Sequence, residues 1–186
     1  MLNYNSPIMD SKDLSEIKIS EIEPVLKINL RGKNRDFITK IGKELSIIPP
    51  TEPNTSAGNE DFNIIWLSPD EWMLYSNDKI DLKNINYTED ILYNKISKLK
   101  LGSVTNVTDH WIMINLKGAK IFDLLSAGCP FNFNDLKNSK SAVAQTLLNH
   151  VDVIIHKKET NNLNLFVRRS FSEHLWRWLN DSARFV

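Results

Sequence analysis

Apolar and polar residues alternate over Lys27-Ile28-Asn29-Leu30-Arg31 and stop at Gly32-Lys33, and the pattern returns as Met113-Ile114-Asn115-Leu116-Lys117, stopping at Gly118-Ala119. Period-two alternation reads as a strand with one buried face. Two more strand-like runs follow each copy: Asp61 to Leu67 and Trp72 to Tyr75 after the first, Val151 to His156 and Leu163 to Val167 after the second. Matching positions lie roughly 86 to 91 residues apart, and an offset that grows slowly is what loop insertions produce. Between the strands the period changes. Phe37, Ile38, Ile41 and Leu45 predict a helix within 34–47, Ile91, Leu92, Ile96 and Leu99 a helix that closes the first half, and 119–126 a helix ending at Gly128 as a left-handed cap. Two β-α-β-β-α units, each too small to close its own core, predict an α+β fold with mainly antiparallel sheet. The expected organisation is one domain over 24–186, with halves of about 24–100 and 103–180. Residues 1–23 are polar and weakly patterned, and read as an arm or tail.

Loops and caps refine this plan. Ile48 to Gly58 holds Pro49, Pro50 and Pro53, so it crosses as loop and not as helix. Ser68-Pro69-Asp70-Glu71 spells a helix start, yet Trp72-Met73-Leu74-Tyr75 resumes extended, so a single turn joining two strands of a hairpin is expected. Ser170-Phe171-Ser172-Glu173 reads as a capping box opening the last helix, with Phe171, Leu175, Trp178 and Leu179 as its buried stripe. A step of 100° per residue puts Trp176 off that stripe. It then packs on a neighbouring loop of its own domain or anchors a partner contact, since tryptophan is enriched at interface centres. Trp66, Trp72 and Trp111 lie on or beside strands, where core packing is the default. Trp72 is carried with Trp176, Arg168 and Arg169 as a candidate interface residue.

Charge narrows the function classes. Lys plus Arg and Asp plus Glu number 23 each, so no net field draws nucleic acid or anionic lipid. With 41% apolar and 25% charged residues, the composition is that of an ordinary soluble domain. No apolar run approaches a membrane span and no secretory profile opens the chain, so a cytoplasmic location is expected. The single cysteine, Cys129, follows a helix end that would raise its thiol pKa, which makes it structural and not a nucleophile. His150 and His156 would stand about 20 Å apart along a strand, too far for one ion, and no phosphate-cradling glycine motif is present. The reading therefore assigns no catalytic, cofactor-binding or metal-binding residue. Asp109 and His110 are adjacent and diverge if the segment is extended. Arg168 and Arg169 stand between the last strand and the last helix, where they could hold a carboxylate or phosphate, or form a surface or intradomain salt bridge.

Several segments carry a family resemblance: Leu30-Arg31-Gly32; Trp66-Leu67-Ser68-Pro69-Asp70-Glu71-Trp72; Gly128-Cys129-Pro130; Ala144-Gln145-Thr146-Leu147-Leu148; and Val167-Arg168-Arg169-Ser170-Phe171 through Leu175-Trp176-Arg177-Trp178-Leu179. In order and spacing they resemble the gamma subunit of heterotetrameric sarcosine oxidase, over roughly residues 24 to 180. Asn106, Thr108 and Asn132 depart from the family's usual aspartate, serine and aspartate, and Ser68 stands where glycine is common. These departures argue against a charged carboxylate role at 106 or 132. The resemblance implies a subunit of a flavoenzyme that converts sarcosine to glycine and passes the methyl carbon to tetrahydrofolate. FAD, FMN and NAD would sit on the alpha and beta subunits and zinc on the delta subunit, with none in this chain. It implies the fold of the aminomethyltransferase folate-binding domain, which alone does not confer folate binding. The expected role is a non-catalytic assembly subunit. The alternatives are an autonomous folate-binding one-carbon protein, for which Asn106 or Asp109 with Arg168 and Arg169 supply the residue types, or the same scaffold in a complex acting on another N-methyl amino acid.

Overall fold

The computed structural model describes residues 5–8, 10–77, 88–138 and 143–186, so residues 1–4 and 9 of the expected arm lie outside the described residues. Eleven strands are described: β1 (Ser11–Asp13), β2 (Lys18–Glu21), β3 (Lys27–Arg31), β4 (Ser56–Gly58), β5 (Phe62–Ser68), β6 (Glu71–Ser76), β7 (Ser103–Asn106), β8 (Trp111–Lys117), β9 (Val143–Leu148), β10 (Val151–Glu159) and β11 (Asn162–Arg168). The helices are α1 (Arg35–Leu45), α2 (Ile121–Ser126), α3 (Phe133–Asn138) and α4 (Ser172–Ser182), with a π-helical turn at Tyr93–Ser97. Two compact units result, Val25–Thr108 and Met1–Pro24 with Asp109–Val186.

Each unit is built on an antiparallel sheet, in the orders β4-β5-β6-β3-β7 and β1-β2-β8-β11-β10-β9. The internal repeat is visible in the register. Arg31 pairs with Glu71 and Lys27 with Tyr75, as Lys117 pairs with Asn162 and Met113 with Phe166. It reaches the side chains as well: Asn29 Nδ2 donates to Glu71 Oε1 at 2.6 Å, and its counterpart Asn115 Nδ2 donates to Asn162 Oδ1 at 2.8 Å. The copies differ in the strand outside the shared trio. Beyond β3 lies β7, from the same half, whereas beyond β8 lies β2, from the N-terminal segment, with buried Ile19 opposite Leu116.

Alternation buries Ile28, Leu30, Ile64, Trp72 and Leu74 on one face of the first sheet, against Phe37, Ile41 and Leu45 of α1 and against Leu92 and Ile96. Leu99, expected in that stripe, is exposed. A π-helical turn holds an extra residue per turn, and the chain leaves the helix after Ser97, so Leu99 falls beyond it. In the second unit Ile112, Ile114, Leu116, Val153, Ile155, Leu163, Leu165 and Val167 pack with α2 and with Leu175, Trp176 and Leu179 of α4. The expected β5–β6 hairpin turn is present at Ser68–Glu71, where the Ser68 hydroxyl donates to Asp70 Oδ1 at 3.0 Å. The β9–β10 turn uses Asn149 and His150, both with positive φ, as a two-residue hairpin loop of twist-matching type requires.

Two further sequence expectations fail for physical reasons. Gly128 does not adopt a left-handed conformation, for Gly118 alone among the described glycines has positive φ. The last helix does not start from a capping box. A 3-10 turn over Arg169–Phe171 precedes it, and no side chain caps it. That turn rotates the buried stripe to Ser172, Leu175, Trp176 and Leu179 and leaves Phe171 outside.

Candidate functional site

Arg168 ends β11 opposite Trp111, and the next residue leaves the ladder while its N–H still donates to the His110 carbonyl at 2.9 Å. The 3-10 turn that follows is tied by Ser172, whose buried hydroxyl donates to the Arg169 carbonyl at 2.7 Å. This local path opens an accessible cleft of about 570 Å³ lined by Pro7, Asp109, His110, Arg168, Arg169, Ser170 and Phe171. The Arg169 guanidinium also donates to the Asn5 carbonyl, which fastens the N-terminal segment beside the cleft. The His110 ring meets Trp111 edge-on at 5.2 Å. Phe171 is 48% exposed.

The cleft brings together two of the four candidate interface residues, Arg168 and Arg169. Trp72 and Trp176 stand elsewhere, at 1% and 7% exposure. Trp72 packs against Phe37 and donates through Nε1 to the Pro50 carbonyl at 2.7 Å, and Trp176 belongs to the core around α4. Each indole is thus surrounded by its own unit. Sequence reasoning overlooked Phe171 and Pro7 as cleft residues and discounted a dyad of Asp109 and His110, although it named Asp109 with Arg168 and Arg169 for the folate alternative. Asp109 and His110 both lie in a turn over 108–110 before β8, where the divergence of an extended chain does not apply. The signal available was the polar Thr108-Asp109-His110 run ahead of an alternating strand.

Chemically the cleft suits binding. Asp109, His110 and Ser170 all line it, and among the described residues no side-chain hydrogen bond joins any two of them. The Arg168 guanidinium offers a planar fork for a carboxylate, and Phe171 offers an apolar surface in the same cleft. Among the described residues no group of three or more His, Cys, Asp or Glu could hold a metal ion. His150 sits in a turn, whereas His156 is buried in β10, and burial together with the charge of Lys158 pushes its pKa down to about 3. Cys129 is half-buried, its sulfur 3.5 Å from Thr146 Oγ1.

The distinctive sequence blocks meet one another within each unit. Arg31 pairs with Glu71 at 3.3 Å, Lys33 with Asp70 at 3.6 Å, and the Gly32 N–H donates to the Asp70 carbonyl at 3.0 Å. The Asp70 carboxyl is held below its ordinary pKa by the Ser68 hydroxyl first and then by Lys33 and Arg31. In the second unit Gly128-Cys129 meets Thr146 through Cys129, and the Gly128 carbonyl accepts from the Asn149 N–H at 2.9 Å. Asn106 acts through its amide: Oδ1 accepts from the Thr108 N–H at 3.0 Å and Nδ2 donates to Glu89 Oε2 at 2.6 Å. An asparagine oxygen closes that turn as an aspartate oxygen would.

Comparison with curated proteins gives no match. Among solved structures, the heterotetrameric sarcosine oxidase from Corynebacterium sp. U-96 in complex with pyrrole 2-carboxylate is similar with a TM-score of 0.79 at 19% identity, over 89% of this chain and 83% of that one. Glycine cleavage system aminomethyltransferase T from Bartonella henselae is similar with a TM-score of 0.61 at 9% identity, over 88% of this chain and 45% of that one, so this chain spans less than half of it. At such identities these likenesses show the shared α+β fold. No described helix is long and apolar enough to cross a membrane. The sequence carries the closer assignment: residues 36–184 match the sarcosine oxidase, gamma subunit family, to which this chain belongs.

Proposed function

We propose that this gamma subunit has no active site of its own and acts in the assembly of a heterotetramer with alpha, beta and delta subunits. That complex oxidises sarcosine to glycine and delivers the methyl carbon to tetrahydrofolate. FAD, FMN, NAD and zinc are assigned to the partner subunits. The match to the gamma subunit family over residues 36–184 is the observation that carries this reading. The cleft supports it in part, because it offers cations and an exposed aromatic ring suited to contact with another chain. An autonomous folate enzyme has no comparable support, since the Asn106 amide is already engaged by Glu89 and Thr108. The reading extends to one domain over 24–186 with an N-terminal arm, and to a cytoplasmic complex.

The test is a pull-down of the tagged chain from its native host, with flavin absorbance and sarcosine-dependent peroxide formation measured on the eluate. A tetrahydrofolate titration of the chain alone runs beside it. Co-elution of flavin and activity, with no folate binding by the lone chain, is the expected result. A chain that elutes alone and binds tetrahydrofolate would sink the assembly reading. Activity on another N-methyl amino acid in place of sarcosine would keep the scaffold and change the substrate.

A further inference from the structure

Seven basic side chains of the described surface have an acidic neighbour within ion-pair distance: Lys12, Lys18, Arg31, Lys33, Lys40, Lys120 and Arg177. Arg168 has none among the described residues, although Asp109 lines the same cleft. Arg169 beside it is held by the Asn5 carbonyl. The ring of Phe171 forms another part of the lining and is left outside the core by the 3-10 turn, while Trp176 takes the inward position on α4. Two arginines against one aspartate give the cleft a positive balance in a chain whose formal charge is zero.

We infer that this cleft docks an acidic segment of a partner subunit, a carboxylate side chain taking the Arg168 fork and an adjacent apolar side chain lying on Phe171. The inference rests on the assembly reading above and deepens it by naming the surface and its partner's chemistry. Charge complementarity selects the occupant, because a guanidinium without an internal acid gains most from a carboxylate supplied in trans. The cleft is wide and open, which suits a segment of chain better than an enclosed small ligand.

The experiment uses the complete chain assembled with its co-expressed partner subunits. Arg168→Glu is expected to weaken retention of the flavin-bearing partners by about tenfold or more, and Arg168→Gln by less, while Arg184→Glu, an exposed charge reversal outside the cleft, leaves retention unchanged. A photo-crosslinking residue placed at Phe171 should capture a partner peptide rich in Asp and Glu. Equal retention by Arg168→Glu and wild type overturns the docking site while leaving the subunit reading intact. Equal loss in Arg168→Glu and Arg184→Glu overturns it too, because general charge would then be the cause. Capture of a basic or wholly apolar peptide, or of a second copy of this chain, has the same meaning. Failure of the wild-type chain to retain any flavin-bearing partner would instead sink the assembly reading itself.

Discussion

A β-carbon added to Gly128 would stand 2.6 Å from Cη2 of Trp178, so the indole occupies the space that any side chain at 128 would need. The requirement for glycine is therefore close approach and not backbone conformation. Gly128→Ala should cost about 1–3 kcal/mol by overpacking, read as a lower urea midpoint. Gly128→Asn discriminates between the two causes, since asparagine tolerates left-handed caps. It should be at least as harmful as alanine, and a mild asparagine variant would refute the packing account. Trp178→Phe should recover part of the loss in the double variant.

Gly118 and Gly32 close equivalent strands, but their constraints differ. Gly118 has φ +135°, and a β-carbon there would lie 2.9 Å from the Glu16 carbonyl carbon; at Gly32 its nearest neighbours would be atoms of the Phe37 ring, the first 2.5 Å away. Backbone strain of about 1–3 kcal/mol adds to the clash at Gly118, and a backbone carbonyl yields less readily than a ring. Gly118→Ala should thus destabilise more than Gly32→Ala. It should also loosen the β1–β2 hairpin, seen as faster tryptic cleavage at Lys12 and Lys18. Equal sensitivity in both variants would contradict the contact between Gly118 and the hairpin.

The repeat was legible because its strands alternate cleanly: Ile28 and Leu30, like Ile114 and Leu116, turn to the core, and the two trios of strands pair in corresponding register. The N-terminal strands were not legible as sheet. Of the Ser11–Glu21 segment only Ile17 and Ile19 are buried, and the partner strand lies far along the chain at Leu116. Alternation of so few residues carries no register information. The last helix was misphased by the short 3-10 turn, which moved Phe171 out and Trp176 in. Arg168 and Arg169 were legible as a pair because a strand end fixes them. Asp109 was named with Arg168 and Arg169, but its grouping with His110 was not legible, because the two stand in a turn over 108–110 and not in an extended strand.

The burial of both candidate tryptophans makes them stabilising residues of this chain. Trp176→Ala should cost about 3–5 kcal/mol and lower the melting temperature of the isolated chain. Trp72→Phe keeps most of the ring but leaves the Pro50 carbonyl without its 2.7 Å donor, at about 1–3 kcal/mol. Phe171→Ala, at an exposed position, should change the melting temperature little. Calorimetry of the three isolated variants settles the ranking. An unchanged melting temperature for Trp176→Ala would return that residue to the surface.

His156 gives the fold an acid-side weakness. Burial, with Lys158 nearby, lowers its pKa from 6.5 to about 3 in the folded chain. Above pH 6.5 the ring is neutral in both states and contributes no pH dependence. As pH falls from 6.5 towards 3, the unfolded chain takes up a proton that the folded chain refuses. Stability therefore drops, by at most about 1.4 kcal/mol per pH unit for one proton. Carboxylates join the titration below about pH 5, so the window from pH 6.5 to 5 is where the variant comparison reads His156 before them. His156→Gln removes the titrating group and should flatten the profile there, even if its stability at neutral pH is lower. Urea unfolding at a series of pH values measures both slopes. Parallel profiles for wild type and variant would mean that the folded chain protonates His156 as readily as the unfolded one and would refute this account.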